Sequence, residues 1–305
     1  MKKIIITLVA ALLFISAAVF FKNEYSCNIP IHNRGIRDAV TRGPLDVLFV
    51  GSSTFRSNID MQLMDEAYDE KVYTIAYGGN QLVAADIQYD EIKSRSTDKC
   101  DLYVMDIDPL MLTEEVKLSD SRVIWDLSFD GKKRLYSKMA DAGNTDLSVM
   151  FEYFISSGMD DLITYPVTER IYSTRYYKGA KTDETPSSGL DYLENEKYDI
   201  SDASYNEAQI DALLELIEKS QKDSQKMIFL ECPKYHRLQN DPKYLELKSL
   251  MIDLLDSNNA MYITAEDIDF DNHNPDYYED MSHMSAVGRR VYTQKLIEYL
   301  ASIGK

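Results

Sequence analysis

Two short segments near opposite ends of this chain hold the residue types best suited to acyl chemistry. One is Val47-Leu-Phe-Val-Gly51-Ser52-Ser53, an apolar run leading into a glycine and two serines; the other is Asp280-Met-Ser-His283. A serine hydroxyl is a poor nucleophile until an imidazole takes its proton, and the imidazole works best when a carboxylate fixes its tautomer. In the second segment the base and its orienter stand three residues apart, so the fold has only to bring in the serine. A serine just after a buried strand stands at the crevice edge of an open sheet, Gly51 permits the tight turn, and Ser53 heads toward the next helix. Backbone N–H groups at such a turn can also face a developing oxyanion. Taken alone, Gly-Ser-Ser serves equally well as a helix cap. The histidine decides between them: it sits at a loop–helix junction, off any apolar stripe, in a chain with four histidines, which points to a general base.

The elements that must position these residues alternate. Asp46–Val50 reads as a strand, with a helix within Ile59–Tyr68. Val72–Ala76 is a second strand, and Gln81–Ser94 a second helix with Asn80 as its cap or as a side-chain donor near the site. Leu102–Met105 is a third strand. Later come a helix in Glu207–Ser220, a strand at Met227–Leu230, a helix in Pro242–Asp256, a strand at Met261–Thr264 and a last helix from Ser285 to Ile303. Strands separated by helices predict an α/β fold with a central parallel sheet covered on both faces. Between about residues 110 and 202 the alternation stops. This stretch is too long for a bare loop, so it reads as an insertion after the third strand, with helices at Leu147–Ser156 and Asp160–Ile171, placed where a lid or substrate wall would stand.

Composition bounds the rest. The 305 residues are 45% hydrophobic, enough for an ordinary core, and the 51 acidic against 33 basic side chains give a formal charge of −18. That balance repels phosphate backbones, so nucleic-acid binding is not expected. Met1-Lys2-Lys3 precedes an uncharged run from Ile4 to Phe21, the pattern of an export signal or membrane anchor that sends the remainder outward. Its length favours an uncleaved anchor, although Ser16-Ala17-Ala18 offers a cleavage site. The expected organisation is an anchor at 1–21, a connector at 22–44 and a body at 45–305. Cys27, Cys100 and Cys232 are too few for a disulfide framework and include no CxxC pair, so neither thiolate zinc nor any other metal or cofactor is expected.

Other candidates are weaker. Asp267-Ile-Asp269-Phe-Asp271 begins like a calcium loop, but Asn272 and Tyr278 stand where glycine and glutamate belong. His236 follows the fourth strand and reads as an ordinary loop histidine. Tyr165, Tyr172, Tyr176, Tyr177, Tyr192 and Tyr198 could stack on sugar rings, as flat faces with polar tips do. Arg170, Arg175, Lys178 and Lys181 could form a basic face for an anionic polymer.

Gly51-Ser52-Ser53, Gly78-Gly79 after the second strand and Asp280-x-x-His283 together resemble the SGNH/GDSL hydrolase superfamily, over the chain from about Asp46 to Ile303. The Ser-Ser pair and the His-x-x-x-x-Gly tail resemble its membrane-tethered extracytoplasmic branch, which includes the teichoic-acid D-alanylation protein DltD and polysaccharide O-acetyltransferases. The resemblance implies a flavodoxin-like three-layer sandwich. It also implies Ser53 as nucleophile, His283 as base and Asp280 as its orienter, with the N–H of Ser53 and of Gly78 or Gly79 in the oxyanion hole, and Asn80 as a substitute side-chain donor. It further implies an acylated cell-envelope glycopolymer as substrate, with O-acetyl or D-alanyl groups transferred or removed, and a membrane-bound O-acyltransferase as partner. The chain departs from the pattern in the third block, where Asp106 and Asp108 stand and the usual asparagine does not. An ionised aspartate cannot donate to an oxyanion, and one lost donor costs about 3 kcal/mol. Two other readings therefore stand beside the enzyme: a weakly active or inactive assembly protein on the same fold, and a carbohydrate-binding module resting on the tyrosines.

Overall fold

The apolar run at residues 45–51 is buried along nearly its whole length because both faces of its strand are covered. A computed structural model of the protein describes residues 2–28, 34–96, 100–117, 120, 122–156 and 176–304. Its main sheet contains β1 (Leu45–Gly51), β2 (Val72–Ala76), β3 (Cys100–Asp106), β6 (Met227–Leu230) and β7 (Met261–Ile263), all parallel, in the spatial order β2-β1-β3-β6-β7. The order of these five strands is that of the flavodoxin-like doubly wound fold, whose ligand crevice opens at the carboxyl ends of β1 and β3, where the winding direction reverses. The strand predictions hold within a residue or two, and Val72–Ala76 and Met227–Leu230 match in full.

Strand periodicity sends alternate side chains to opposite faces. Leu48 and Val50 join Tyr73, Ile75, Tyr103 and Met105 in one core, closed by Ile87 of α5 (Leu82–Arg95) and Leu213, Leu216 and Ile217 of the helix Glu207–Lys222. Val47 and Phe49 face the other way with Val72, Leu102 and Val104. They pack under α3 (Ser53–Asn58), α4 (Met61–Ala67) and the last helix, Ala286–Ser302, through Phe55, Met61, Met64, Tyr292 and Leu296. Phe49 and Phe55 meet edge to face at 5.7 Å, a contact of about 1 kcal/mol that ties β1 to the short helix beginning at Ser53. At six residues, α3 carries too little periodicity to register in the sequence.

The stretch after β3 contains a 3-10 turn at Pro109–Thr113, α6 (Arg122–Asp126), α7 (Phe129–Asp141) and α8 (Leu147–Phe151), which continues as a π-helical turn to Ser156. The expected helix at Asp160–Ile171, together with Arg170, Arg175, Tyr165 and Tyr172, lies outside the described residues. A hairpin of β4 (Tyr176–Tyr177) and β5 (Ala180–Lys181) covers the open edge of β2, where Thr74 N–H donates to the Lys178 carbonyl at 2.9 Å. Gly179 makes this closure possible: its φ is +89° and a Cβ there would fall 1.6 Å from the Thr74 carbonyl oxygen. Lys178 is buried against Asp65 at 2.6 Å, so it is a structural ion pair and no part of an exposed basic face.

The N-terminal helix α1 runs from Lys2 to Cys27, further than the uncharged segment alone predicts. Its apolar side chains are exposed, and by length and composition it can cross a membrane. Among the described residues, its last two turns join the body, with Phe20 edge to face on Phe129 at 5.3 Å. Asn23 donates to the Phe154 carbonyl at 2.9 Å and accepts from Lys132 at 2.5 Å, while Glu24 accepts from Phe129 N–H at 2.8 Å.

Candidate active site

Ser53 opens α3 directly beyond β1. Ser52 is the N-cap, its hydroxyl accepting from Thr54 N–H at 3.2 Å. The turn needs Gly51, because a Cβ there would lie 2.4 Å from Asp106 Cβ and 2.8 Å from the Phe55 ring. The N–H of Ser53, at the first position of a helix, has no partner within that helix.

The fold brings the two chemistry-bearing segments together. His283 Nε2 lies 2.8 Å from Ser53 Oγ, and His283 Nδ1 lies 2.7 Å from Asp280 Oδ2. With the proton on Nδ1, the imidazole donates to Asp280 and leaves Nε2 as acceptor for the serine hydroxyl. Asp280 Oδ1 accepts from the N–H groups of Ser282 at 2.7 Å and His283 at 2.8 Å, so one carboxylate shapes the loop and orients the ring. Burial alone would raise the Asp280 carboxyl, but the His283 hydrogen bond and charge and those two N–H groups outweigh it and hold the group below the usual carboxylate range. His283 keeps about a quarter of its side chain open to solvent, which leaves room for a substrate.

Asn58, which no local sequence pattern marks, fastens these halves to each other. It is fully buried at the end of α3; its Nδ2 donates to the Ser282 carbonyl at 3.0 Å and its Oδ1 accepts from Met284 N–H at 2.8 Å. The Ser53 helix and the His283 loop are thus held in register by one side chain whose two bonds span His283.

Asp106 and Asp108, which stand where the resembled pattern has its asparagine, are both bonded within the protein. Asp106 Oδ2 accepts from Ser52 N–H at 2.9 Å, the Ser52 hydroxyl at 2.6 Å and the Thr54 hydroxyl at 2.6 Å. Its carboxylate is spent on the turn that presents Ser53. Burial pushes this carboxyl upward, and the charge of Lys234 with the Ser52 and Thr54 bonds pulls it part of the way back. Lys234, itself buried, pairs with Asp108 at 2.6 Å, and Asp108 also accepts from Leu110 N–H at 2.9 Å.

Of the remaining expected donors, Gly78 and Asn80 are engaged within the protein. Gly78 N–H donates to Asp120 Oδ2 at 3.0 Å. Gly79 takes a positive φ of 60° at the turn after β2. Asn80 is not the helix cap: Gln81 holds that position without a side-chain bond, and the Asn80 amide pairs reciprocally with Gln88 at 3.0 Å in both directions. His236 turns to Glu194 at 3.4 Å and stacks on His273 with ring centroids 4.3 Å apart. Asp267 is occupied capping the turn at Thr264. Among the described residues no cluster of three or more histidine, cysteine or acidic side chains is placed to hold a metal, and all three cysteines are free.

No family model and no curated protein matches the sequence. Solved structures similar to this chain include an α/β hydrolase enzyme, LAE5, from the metagenome of Lake Arreo, at 11% identity over 86% of this chain and 98% of that one with a TM-score of 0.43. A catalytic mutant of an acetylxylan esterase from Geobacillus stearothermophilus has 10% identity over 85% and 95% with a TM-score of 0.39. A GDSL-like lipase from Bacteroides thetaiotaomicron has 10% identity over 83% and 87% with a TM-score of 0.38. Likenesses this distant say nothing about activity, which is read from the site's own geometry.

Proposed function

We propose that this chain is an extracytoplasmic, membrane-anchored serine acyl esterase or acyltransferase of the SGNH type, acting on acylated cell-envelope glycopolymers. The observation that carries the reading is the continuous relay Ser53 Oγ, His283 Nε2, His283 Nδ1, Asp280 Oδ2, with links of 2.8 and 2.7 Å. Ser53 Oγ attacks the acyl carbonyl as its proton passes to His283 Nε2, and Asp280 stabilises the imidazolium that forms. Collapse of the tetrahedral intermediate breaks the ester bond, and His283 returns the proton to the departing oxygen. The acyl group on Ser53 then passes to water or to a sugar hydroxyl, whose proton His283 takes in turn. Ser53 N–H supports the oxyanion, joined by Gly78 or Gly79 once Asp120 leaves the crevice wall.

What supports the membrane location is the 26-residue apolar α1, with Lys2 and Lys3 at its start. The exposed side chains of Leu147, Met150, Phe151 and Ile155 add to it. They belong to the α8 segment, whose end is hydrogen-bonded to α1 through Lys22 and Asn23, so a helix with an apolar outer face lies where α1 would leave the bilayer. Anchoring favours transfer over hydrolysis, because an enzyme at the membrane face can collect an acyl group that a transmembrane acyltransferase supplies. The test is hydrolysis of p-nitrophenyl acetate by the detergent-solubilised full chain. Ser53→Ala and His283→Ala each abolish it and the double variant loses no more than either, as residues acting as a unit require; retained activity in Ser53→Ala overturns the reading.

A further inference from the structure

Arg56 lies on the helix that Ser53 opens, three residues on, and no anion is bonded to it within the described residues. Its Nε is buried with no hydrogen-bond partner, and among the described residues its guanidinium makes no hydrogen bond or ion pair. Its two terminal nitrogens lie 3.7 and 3.8 Å from the point where a Cβ on Gly78 would stand, so it borders the turn after β2, beside the crevice. The same point lies 3.6 Å from Asp120 Oδ2, which is held by Gly78 N–H and by a bidentate contact with Arg122. Arg122 also bonds the Tyr176 side chain.

A chain with a formal charge of −18 thus gathers two guanidinium groups beside its candidate nucleophile, with one carboxylate, Asp120, bonded to one of them. Burial and then the charge of Arg122 hold the Arg56 guanidinium below its usual range, against the smaller opposite pull of Tyr176, Asp120 and Asp183, as expected of a cation to which no anion is directly bonded. A buried polar group without a partner is unusual in a native structure and calls for an explanation. Guanidinium suits carboxylate and phosphoryl oxygens because its planar fork offers paired donors. The protein already holds one such group here, Asp120, on a backbone N–H and a guanidinium.

We propose that Arg56, with Arg122 beside it, forms a subsite for a second, oxyanionic group of the acyl substrate, a carboxylate or phosphoryl group carried close to the ester that Ser53 attacks. This rests on the reading of Ser53 as nucleophile and adds the charge class of its substrate. The anionic group docks on Arg56, and Asp120, the resident anion of the same wall, gives way and frees Gly78 N–H for the oxyanion.

Two measurements separate the subsite from the reading beneath it. In the first, kcat/KM is compared for p-nitrophenyl acetate, for the mono-p-nitrophenyl ester of succinic acid and for the acetyl ester of glycerol 3-phosphate. Arg56→Gln should lower the preference for the anionic esters over the neutral one by about tenfold or more, the worth of one charge-assisted hydrogen bond, while Arg56→Lys keeps part of it. The carboxylate and phosphate arms show which anion is preferred. In the second, calorimetric titration of Ser53→Ala with succinate and with glycerol 3-phosphate should show binding of at least one, weakened about tenfold in Ser53→Ala/Arg56→Gln. If Ser53 proves unreactive but this binding depends on Arg56, the subsite stands and the catalytic reading falls. If wild type shows no preference for either anionic ester, or if Arg56→Gln and Arg56→Lys lower all three substrates equally, the subsite is overturned. Failure of Ser53→Ala to bind either anion overturns it as well.

Discussion

Replacing Asn58 with alanine tests whether the site is assembled by the fold or merely located by it. The change removes two hydrogen bonds, from Nδ2 to the Ser282 carbonyl at 3.0 Å and from Met284 N–H to Oδ1 at 2.8 Å, at a position with no solvent exposure. Each neutral bond is worth about 1 kcal/mol net, and a backbone group left buried and unpaired costs about 1–3 kcal/mol, so the loss of stability is about 2–4 kcal/mol. The effect on activity follows from what those bonds flank. Ser282 and Met284 are the neighbours of His283, and freeing them frees the ring from its 2.8 Å approach to Ser53 Oγ. A displacement of about 1 Å costs on the order of a hundredfold in rate. The assay pairs urea unfolding with the rate of Ser53 labelling by a fluorophosphonate probe, read below the unfolding transition. A destabilised Asn58→Ala that still labels at the wild-type rate would show that the base is positioned without the bridge.

Other consequences are as direct. Asp106→Ala removes three hydrogen bonds to one buried oxygen and takes a negative charge from beside Lys234; it should destabilise the protein by about 3 kcal/mol or more in urea titration, and a loss below about 1 kcal/mol would show that the bonds hold nothing. Asp280→Asn preserves shape but not the tautomer of His283 and should lower kcat for ester hydrolysis on the order of 10³–10⁴-fold with little change in KM. Lys132 is buried, and burial pushes its ammonium down to about 7. The unfolded chain therefore binds more protons than the folded one above pH 7, and this contribution makes stability rise with pH from 7 to about 8.5, beyond which thiols begin to titrate. Melting temperatures at the two pH values should show a smaller rise in Lys132→Met than in the wild type; equal rises would remove Lys132 as the source.

The sheet was legible because its strands are short apolar runs buried on both faces, punctuated by Gly51, Gly78 and Pro109. The relay was legible because Asp280 and His283 are close in sequence and Ser53 follows a strand. Contacts made across the fold were not. Asn58 meets Ser282 across 224 positions and Asp106 meets Ser52 across 54, and no local pattern marks a side chain for such a partner. The sequence shows an aspartate where the resembled family has asparagine but not which way it points; Ser52 and Thr54 decide that by donating to it. Lys178 likewise reads as one of four basic residues until Asp65 is found beneath it.

The proposed mechanism requires Ser53 to form a covalent acyl intermediate through His283. Intact-protein mass spectrometry of the full chain after brief incubation with p-nitrophenyl acetate detects that intermediate, with acid quench to trap it. The relay predicts one acetyl group on Ser53 in the wild type, absent in Ser53→Ala and strongly diminished in His283→Ala. An adduct that persists in Ser53→Ala, or one that forms in His283→Ala as fast as in the wild type, contradicts it.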